Sequence, residues 1–292
     1  MFQRCLICTD FSDGLYRLTD FVANLAAGGV RQVVFLHCVP IWDEGEVPRI
    51  DQEKIDTAKE RFSNALKDVP EGIEVCVEVP SGRPTDAIPE VLKKYDSDVV
   101  LTGMPIRSLL QEKIFGSTSL ALAKCTSTPI MMLRPQLVST YTREELALRC
   151  EHLWRYLLIP YNDGSSARYL LEQFKEYVQK RPDNSLKQCM LLWVIDEARR
   201  KEIPSEYRVK EAQKKLESVK SELEGLGLEV NAEVREGNPF MEIIDVAVEY
   251  DISAIATSYV TKGKLLDWTA PSFANEVLRR SWFPVLFFSP KQ

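Results

Sequence analysis

Histidine is almost missing from this sequence, with two in 292 residues. A Ser/His/Asp set is therefore hard to assemble: His37 lies inside the apolar run VVFLHCV, where a packed, hydrogen-bonded histidine is expected rather than a base, and His152 sits beside Trp154, far in sequence from any loop cluster. No zinc-ligand spacing occurs, and no G-x-x-x-x-G-K-Ser/Thr loop. Positive charge is in deficit as well. With 37 Lys and Arg against 43 Asp and Glu the formal net charge is −6, so the basic footprint of a nucleic-acid binder is lacking. No apolar run reaches the roughly 18 residues that span a bilayer, and the start MFQRCLICTDF lacks the apolar core and cleavage site of a signal peptide. A cytoplasmic protein with neither membrane nor nucleic acid as partner is expected.

Seven cysteines are an odd number, and most stand in apolar contexts such as VVFLHCV, IEVCVEV and QCMLLWV, as free buried thiols do. Cys5 and Cys8 spell C-x-x-C, but three residues apart on a strand they point to opposite faces, so core packing is expected rather than a shared metal. The acidic run Trp42-Asp-Glu-Gly-Glu46 reads as a solvated loop.

What the chain does contain is a copy of itself. Gly82-Arg-Pro84 matches Gly237-Asn-Pro239, Tyr95-Asp96 matches Tyr250-Asp251, and Pro129-Ile-Met-Met-Leu133 matches Pro284-Val-Leu-Phe-Phe288, each pair separated by 155 positions. Within each copy, short apolar runs alternate with helical patterns: runs at 4–10, 33–39, 74–79, 98–102 and 130–133 recur at 156–162, 189–195, 229–234, 254–257 and 285–288. Parallel neighbours need a crossover, so this alternation predicts two α/β domains, each a doubly wound parallel sheet of five strands. The boundaries expected are 1–136 and 153–292, with a helix between them at 137–152 whose start carries Thr142 and Glu145 as a capping box.

Open sheets of this kind bind ligands beyond the carboxyl ends of their strands, where the winding direction switches. In copy one, Asp10-Phe-Ser12, Val39-Pro40 and the stretch GMPIRSLLQEKIFGSTS, 103–119, converge there. Gly103 and Gly116 permit close backbone approach, and Ser117, Thr118 and Ser119 would open a helix with free N–H donors, a setting for a phosphate. Arg107 and Lys113 add positive charge and Glu112 opposes them. The competing reading is that Ser117 only caps a helix. In copy two the same positions read Ser258, Pro271 and Ser272, and proline has no N–H to offer. The Asp10 counterpart there is Asn162 by strand alignment or Asp163 by helix alignment.

This pattern resembles the universal stress protein family in its tandem two-domain form, over nearly the whole chain. The family's nucleotide loop, G-x2-G-x9-G-Ser/Thr, is matched by Gly103, Gly116 and Ser117, with Ile106 in place of the middle glycine. The resemblance implies an adenine nucleotide alpha hydrolase-like fold with strand order 3-2-1-4-5, and domains paired through their last strands. It further implies ATP or AMP, with magnesium accompanying ATP, and Pro271 in copy two restricts this expectation to domain one. Asp10 would hold the ribose, Val39 the base through its backbone, and Gly103, Gly116, Ser117 and Thr118 the phosphates. The expected role is a stress-response regulator that acts through an unidentified protein partner, with homodimerisation open. Two alternatives stand beside it: an interaction scaffold with no nucleotide, and a weak ATPase or adenylating enzyme, although Thr9-Asp-Phe-Ser-Asp-Gly14 replaces the S-G-G-x-D-S loop of the adenylating kind.

Overall fold

A computed structural model of the chain describes residues 1–41, 49–103, 122–123, 126–134, 138–140, 142–196, 205–259 and 272–290. Two compact units are present, one spanning 2–151 and the other 152–292 together with Met1.

In the first unit the strands are β1 (Arg4–Cys8), β2 (Gln32–Leu36), β3 (Glu74–Glu78), β4 (Val99–Gly103) and β5 (Ile130–Leu133). All pairings are parallel, β2 lying between β1 and β3 while β1 also pairs with β4 and β4 with β5, which gives the order 3-2-1-4-5. The second unit repeats this with β6 (Tyr156–Pro160), β7 (Gln188–Asp196), β8 (Glu229–Gly237), β9 (Ala254–Ser258) and β10 (Val285–Phe288), paired 8-7-6-9-10. Strands covered on both faces are apolar throughout: Val33, Val34 and Phe35 are fully buried, as are Val285 and Leu286. Each such side chain contributes about 1.5–3 kcal/mol on leaving water. The edge strands β3 and β8 are only half-buried, and their outer positions carry Glu74, Glu78, Glu229, Glu233 and Arg235, charges that discourage pairing with a foreign strand.

The helices are α1 (Val22–Ala27), α2 (Gln52–Arg61), α3 (Pro84–Tyr95), α4 (Arg143–Glu151), α5 (Ser165–Gln179), α6 (Ser205–Glu224), α7 (Pro239–Glu249) and α8 (Phe273–Arg280). The helical segment after β1 is split: 3-10 geometry runs from Leu15 to Phe21 before α1 begins. Thr19 donates its hydroxyl to the Tyr16 carbonyl three residues earlier, a local bond that competes with the α-helical pattern. Likewise α2 is capped by the Asp51 carboxylate on the Lys54 amide and followed by a 3-10 turn, Ser63–Leu66. Thr142 Oγ1 accepts the Glu145 N–H at 3.2 Å at the start of α4, which packs through Leu146 and Cys150 into the first unit.

The repeated Gly-x-Pro has a physical reason. Gly82 and Gly237 leave their edge strands at φ 136° and 151°, a turn that suits glycine, and Pro84 and Pro239 then open α3 and α7 where no N–H is needed. Two side-chain bonds of the first unit recur in the second. Gln32 donates to Glu74 and Gln188 to Glu229, both at 2.7 Å, while the Tyr95 and Tyr250 hydroxyls donate to Glu78 and Glu233. Each tyrosine ties the end of its helix to the edge strand.

Candidate functional site

In the first unit the chain leaves β1 through a tight turn. The Thr9 amide still bonds the Leu36 carbonyl at 3.1 Å, after which the chain turns away from β2. Asp10 closes an Asx turn: one carboxylate oxygen, Oδ1, accepts both the amide and the hydroxyl of Ser12 at 2.7 Å. Its other oxygen has no partner among the described residues, and the residue is exposed. Phe11 follows with φ 65°, unusual for a bulky residue, its ring 4.3 Å from the His37 ring and 5.1 Å from Phe62, with the Arg61 guanidinium 4.8 Å above it. His37 Nδ1 lies 2.9 Å from the Thr9 carbonyl, and because a carbonyl only accepts, this nitrogen carries the proton. The histidine is thus hydrogen-bonded and half-buried.

Val39 is buried and its main chain is already engaged, its N–H on the Pro80 carbonyl and its carbonyl on the Gly82 amide, both at 2.9 Å. His37 N–H faces the same side, on Glu78. Successive main-chain groups of a strand face opposite neighbours, so those of Cys38 face where β1 has turned away, and among the described residues they have no partner. Val39 therefore does not offer a free backbone edge; Cys38, one residue earlier, does. Burial pushes the Cys38 thiol up to about 11, so its sulfur is inert.

Gly103 ends β4, and the space in front of it is taken. A Cβ at this position would stand 2.6 Å from Asp13 Cβ and 2.8 Å from Asp13 Oδ2. Asp13 is 5% exposed, and its Oδ1 accepts the Thr9 hydroxyl at 2.6 Å and the Leu15 amide at 2.9 Å. Desolvation outweighs these bonds and raises the carboxyl to about 6. What faces Gly103 is thus a carboxylate from the chain itself. Arg134, directly after β5, is also buried, and desolvation lowers its guanidinium to about 10. Gly116, Ser117 and Thr118, with Ile106, Arg107, Lys113 and the 42–46 run, lie outside the described residues.

The second unit settles the alignment left open above. Tyr161 N–H bonds the Leu192 carbonyl at 2.9 Å as Thr9 bonds Leu36, and Asp163 has φ 59° as Phe11 has 65°. Asn162 is therefore the counterpart of Asp10, and Asp163 that of Phe11. Asp163 is fully engaged: Arg168 Nε on Oδ1 at 2.7 Å and Lys215 Nζ on Oδ2 at 2.8 Å, with the Tyr161 hydroxyl 3.3 Å from Oδ1. The Arg168 and Lys215 bonds hold its carboxyl well below the usual range. Lys215 Nζ also lies 5.9 Å from the ring centre of Trp193, the residue in the place of His37. Where the first unit has Gly103 and Asp13, the second has Ser258 and, by the same register, Ser165. Ser258 is buried and its hydroxyl unpartnered.

Among the described residues no group of three or more His, Cys, Asp and Glu side chains is placed to hold a metal ion, and no helix is long and apolar enough to cross a membrane. Comparison with known proteins gives a consistent result. The universal stress protein family matches residues 1–134 and again 157–289. The chain belongs to the universal stress protein family. Among solved structures, a universal stress protein from Archaeoglobus fulgidus DSM 4304 is similar at 18% identity and TM-score 0.65, covering 97% of each chain. A functionally unknown protein from Pseudomonas aeruginosa PAO1 is similar at 13% identity and TM-score 0.57, over 99% of this chain and 93% of that one. A universal stress protein in complex with cAMP matches 46% of this chain and 98% of its own at 19% identity and TM-score 0.30. No curated protein matches. Membership of the universal stress protein family, matched twice, supports a stress-response protein built as a tandem.

Two features escaped the reading of the sequence. Asp13 looks like one more polar residue of TDFSDG, and only its contact with Gly103 gives it weight. A difference between the copies marks the position: glycine and aspartate in one are serine and serine in the other, with Ser165 exposed where Asp13 is buried. The Cys38 edge had no signal, because strand register decides which amides face outward.

Proposed function

We propose that the first unit binds an adenine nucleotide beyond the carboxyl ends of β1 and β4, and that the second unit is its structural partner. The observation that carries this is the contrast between the two crevices. In the first, the Cys38 main chain and one Asp10 oxygen are open, whereas in the second the carboxylate nearest the strand end is tied down by Arg168 and Lys215. Asp10 has the chemistry to accept ribose hydroxyls, and the Cys38 N–H and carbonyl match the donor and acceptor edge of adenine. Val39 then supports this edge from β3 rather than meeting the base. Gly116, Ser117 and Thr118 are assigned the phosphates on their sequence pattern, with magnesium accompanying ATP, and Gly103 is assigned to seating Asp13. Occupancy would bias the contacts this stress-response protein makes with a partner.

The test is thermal unfolding of the full chain with ATP, AMP, cAMP or adenosine, each with and without magnesium. A ligand at a hundredfold its Kd, bound only to the native state, stabilises by about 2.7 kcal/mol, a readable shift. Asp10→Ala should abolish the shift and Asn162→Ala leave it intact. No shift with any adenine compound would leave the interaction scaffold as the better reading.

A further inference from the structure

A carboxyl sheltered from water packs against Gly103 at the end of β4, where strand ends bind ligands in sheets of this kind. Asp13 Oδ1 is engaged by Thr9 and Leu15, and Oδ2 has no donor among the described residues. Among the described residues no cation pairs with it. The ionisable groups beside it offer no compensation: Asp10 is a second carboxyl, and burial raises the Cys8 thiol and keeps it neutral. Arg134 follows Leu133, which is in register with Gly103, yet it makes no ion pair with Asp13. His37, the other ionisable side chain held at Thr9, bonds the Thr9 carbonyl and not the carboxylate. The second unit lacks this charge, having Ser165 at the equivalent position. Charges act over longer range where water is excluded, so a ligand in this crevice meets Asp13 with little screening.

We propose that Asp13 sets the charge selectivity of the first unit's crevice, favouring adenine ligands that carry little or no phosphate charge over those that carry more. This rests on the nucleotide reading above and adds to it the class of ligand preferred. Because the carboxyl titrates near 6, it is ionised at neutral pH and largely neutral at about pH 5, and its discrimination against anions weakens on acidification.

The experiment is calorimetric titration of the full chain with adenosine and with cyclic AMP at about pH 5 and about pH 7.5. Adenosine is uncharged and the phosphodiester keeps one charge across this range, so the ratio of their Kd values reports charge on the protein. For the native chain the ratio of the cyclic AMP Kd to the adenosine Kd should fall on the order of tenfold on acidification. In Asp13→Asn the ratio should be low at both pH values. An Asn variant that keeps both the native ratio and its pH dependence overturns the proposal. If Asp13→Asn does not fold, Asp13→Ser, the residue present in the second unit, takes its place with the same outcomes. Binding of adenosine with a ratio indifferent to Asp13 removes this inference and leaves the nucleotide reading standing. Failure of both ligands to bind the native chain removes both.

Discussion

Replacing Gly103 by serine, the residue that the second unit carries at Ser258, puts the packing argument at risk in a measurable way. The new Cβ would lie 2.6 Å from Asp13 Cβ and 2.8 Å from its Cγ, where carbon atoms rest at about 3.5–4.0 Å. Something must move by about 1 Å. Asp13 does not swing away freely, because Thr9 and Leu15 hold its Oδ1. Overpacking of this kind costs about 1–3 kcal/mol, and loss of one hydrogen bond to Asp13 about 1 kcal/mol more. Gly103→Ser should therefore destabilise the first unit by about 2–4 kcal/mol. Asp13→Ser alone loses two hydrogen bonds but also relieves a buried carboxylate, and the two effects nearly offset at neutral pH. The double variant removes the carboxylate that the new side chain would meet and should recover about 1–2 kcal/mol relative to the sum of the singles. Native-state hydrogen exchange on peptides of β1 and β4 is the suitable assay, because two units need not unfold in one transition. Additive effects within about 0.5 kcal/mol, or a costless Gly103→Ser, would refute the idea that Gly103 is small in order to seat Asp13.

Gly28→Ala should cost the first unit about 1–3 kcal/mol, read as a lower urea midpoint for its exchange-protected strands, because the added Cβ would stand 2.4 Å from the backbone carbonyl oxygen of Glu151 at the end of α4. The buried carboxyl of Asp13 gives a pH dependence of known sign. Its folded-state value near 6 lies above the ordinary 3.8, so the folded chain retains a proton that the unfolded chain has lost. The stability of the first unit should fall by up to about 3 kcal/mol as pH rises from about 4 to about 6, and Asp13→Asn should flatten that slope in exchange measured across the range.

The division between what the residues announce and what folding decides follows the range of the forces involved. Strand and helix patterning is local, so the repeat and strands such as Ile130–Leu133 and Val285–Phe288 were legible as apolar runs separated by crossovers, whereas the order 3-2-1-4-5 was expected only from the family resemblance. Asp10 and Gly103 were legible too, because strand ends at the switch point of a doubly wound sheet are where ligands go. Their meaning was not. That Gly103 faces Asp13, that Val39 spends its main chain on Pro80 and Gly82 while Cys38 stays open, and that Asp163 rather than Asn162 gathers Arg168 and Lys215 all depend on contacts between residues distant in the chain. Composition and periodicity specify which elements form. Register and close packing decide which atoms of neighbouring elements meet, and a shift of one residue exchanges an engaged amide for a free one.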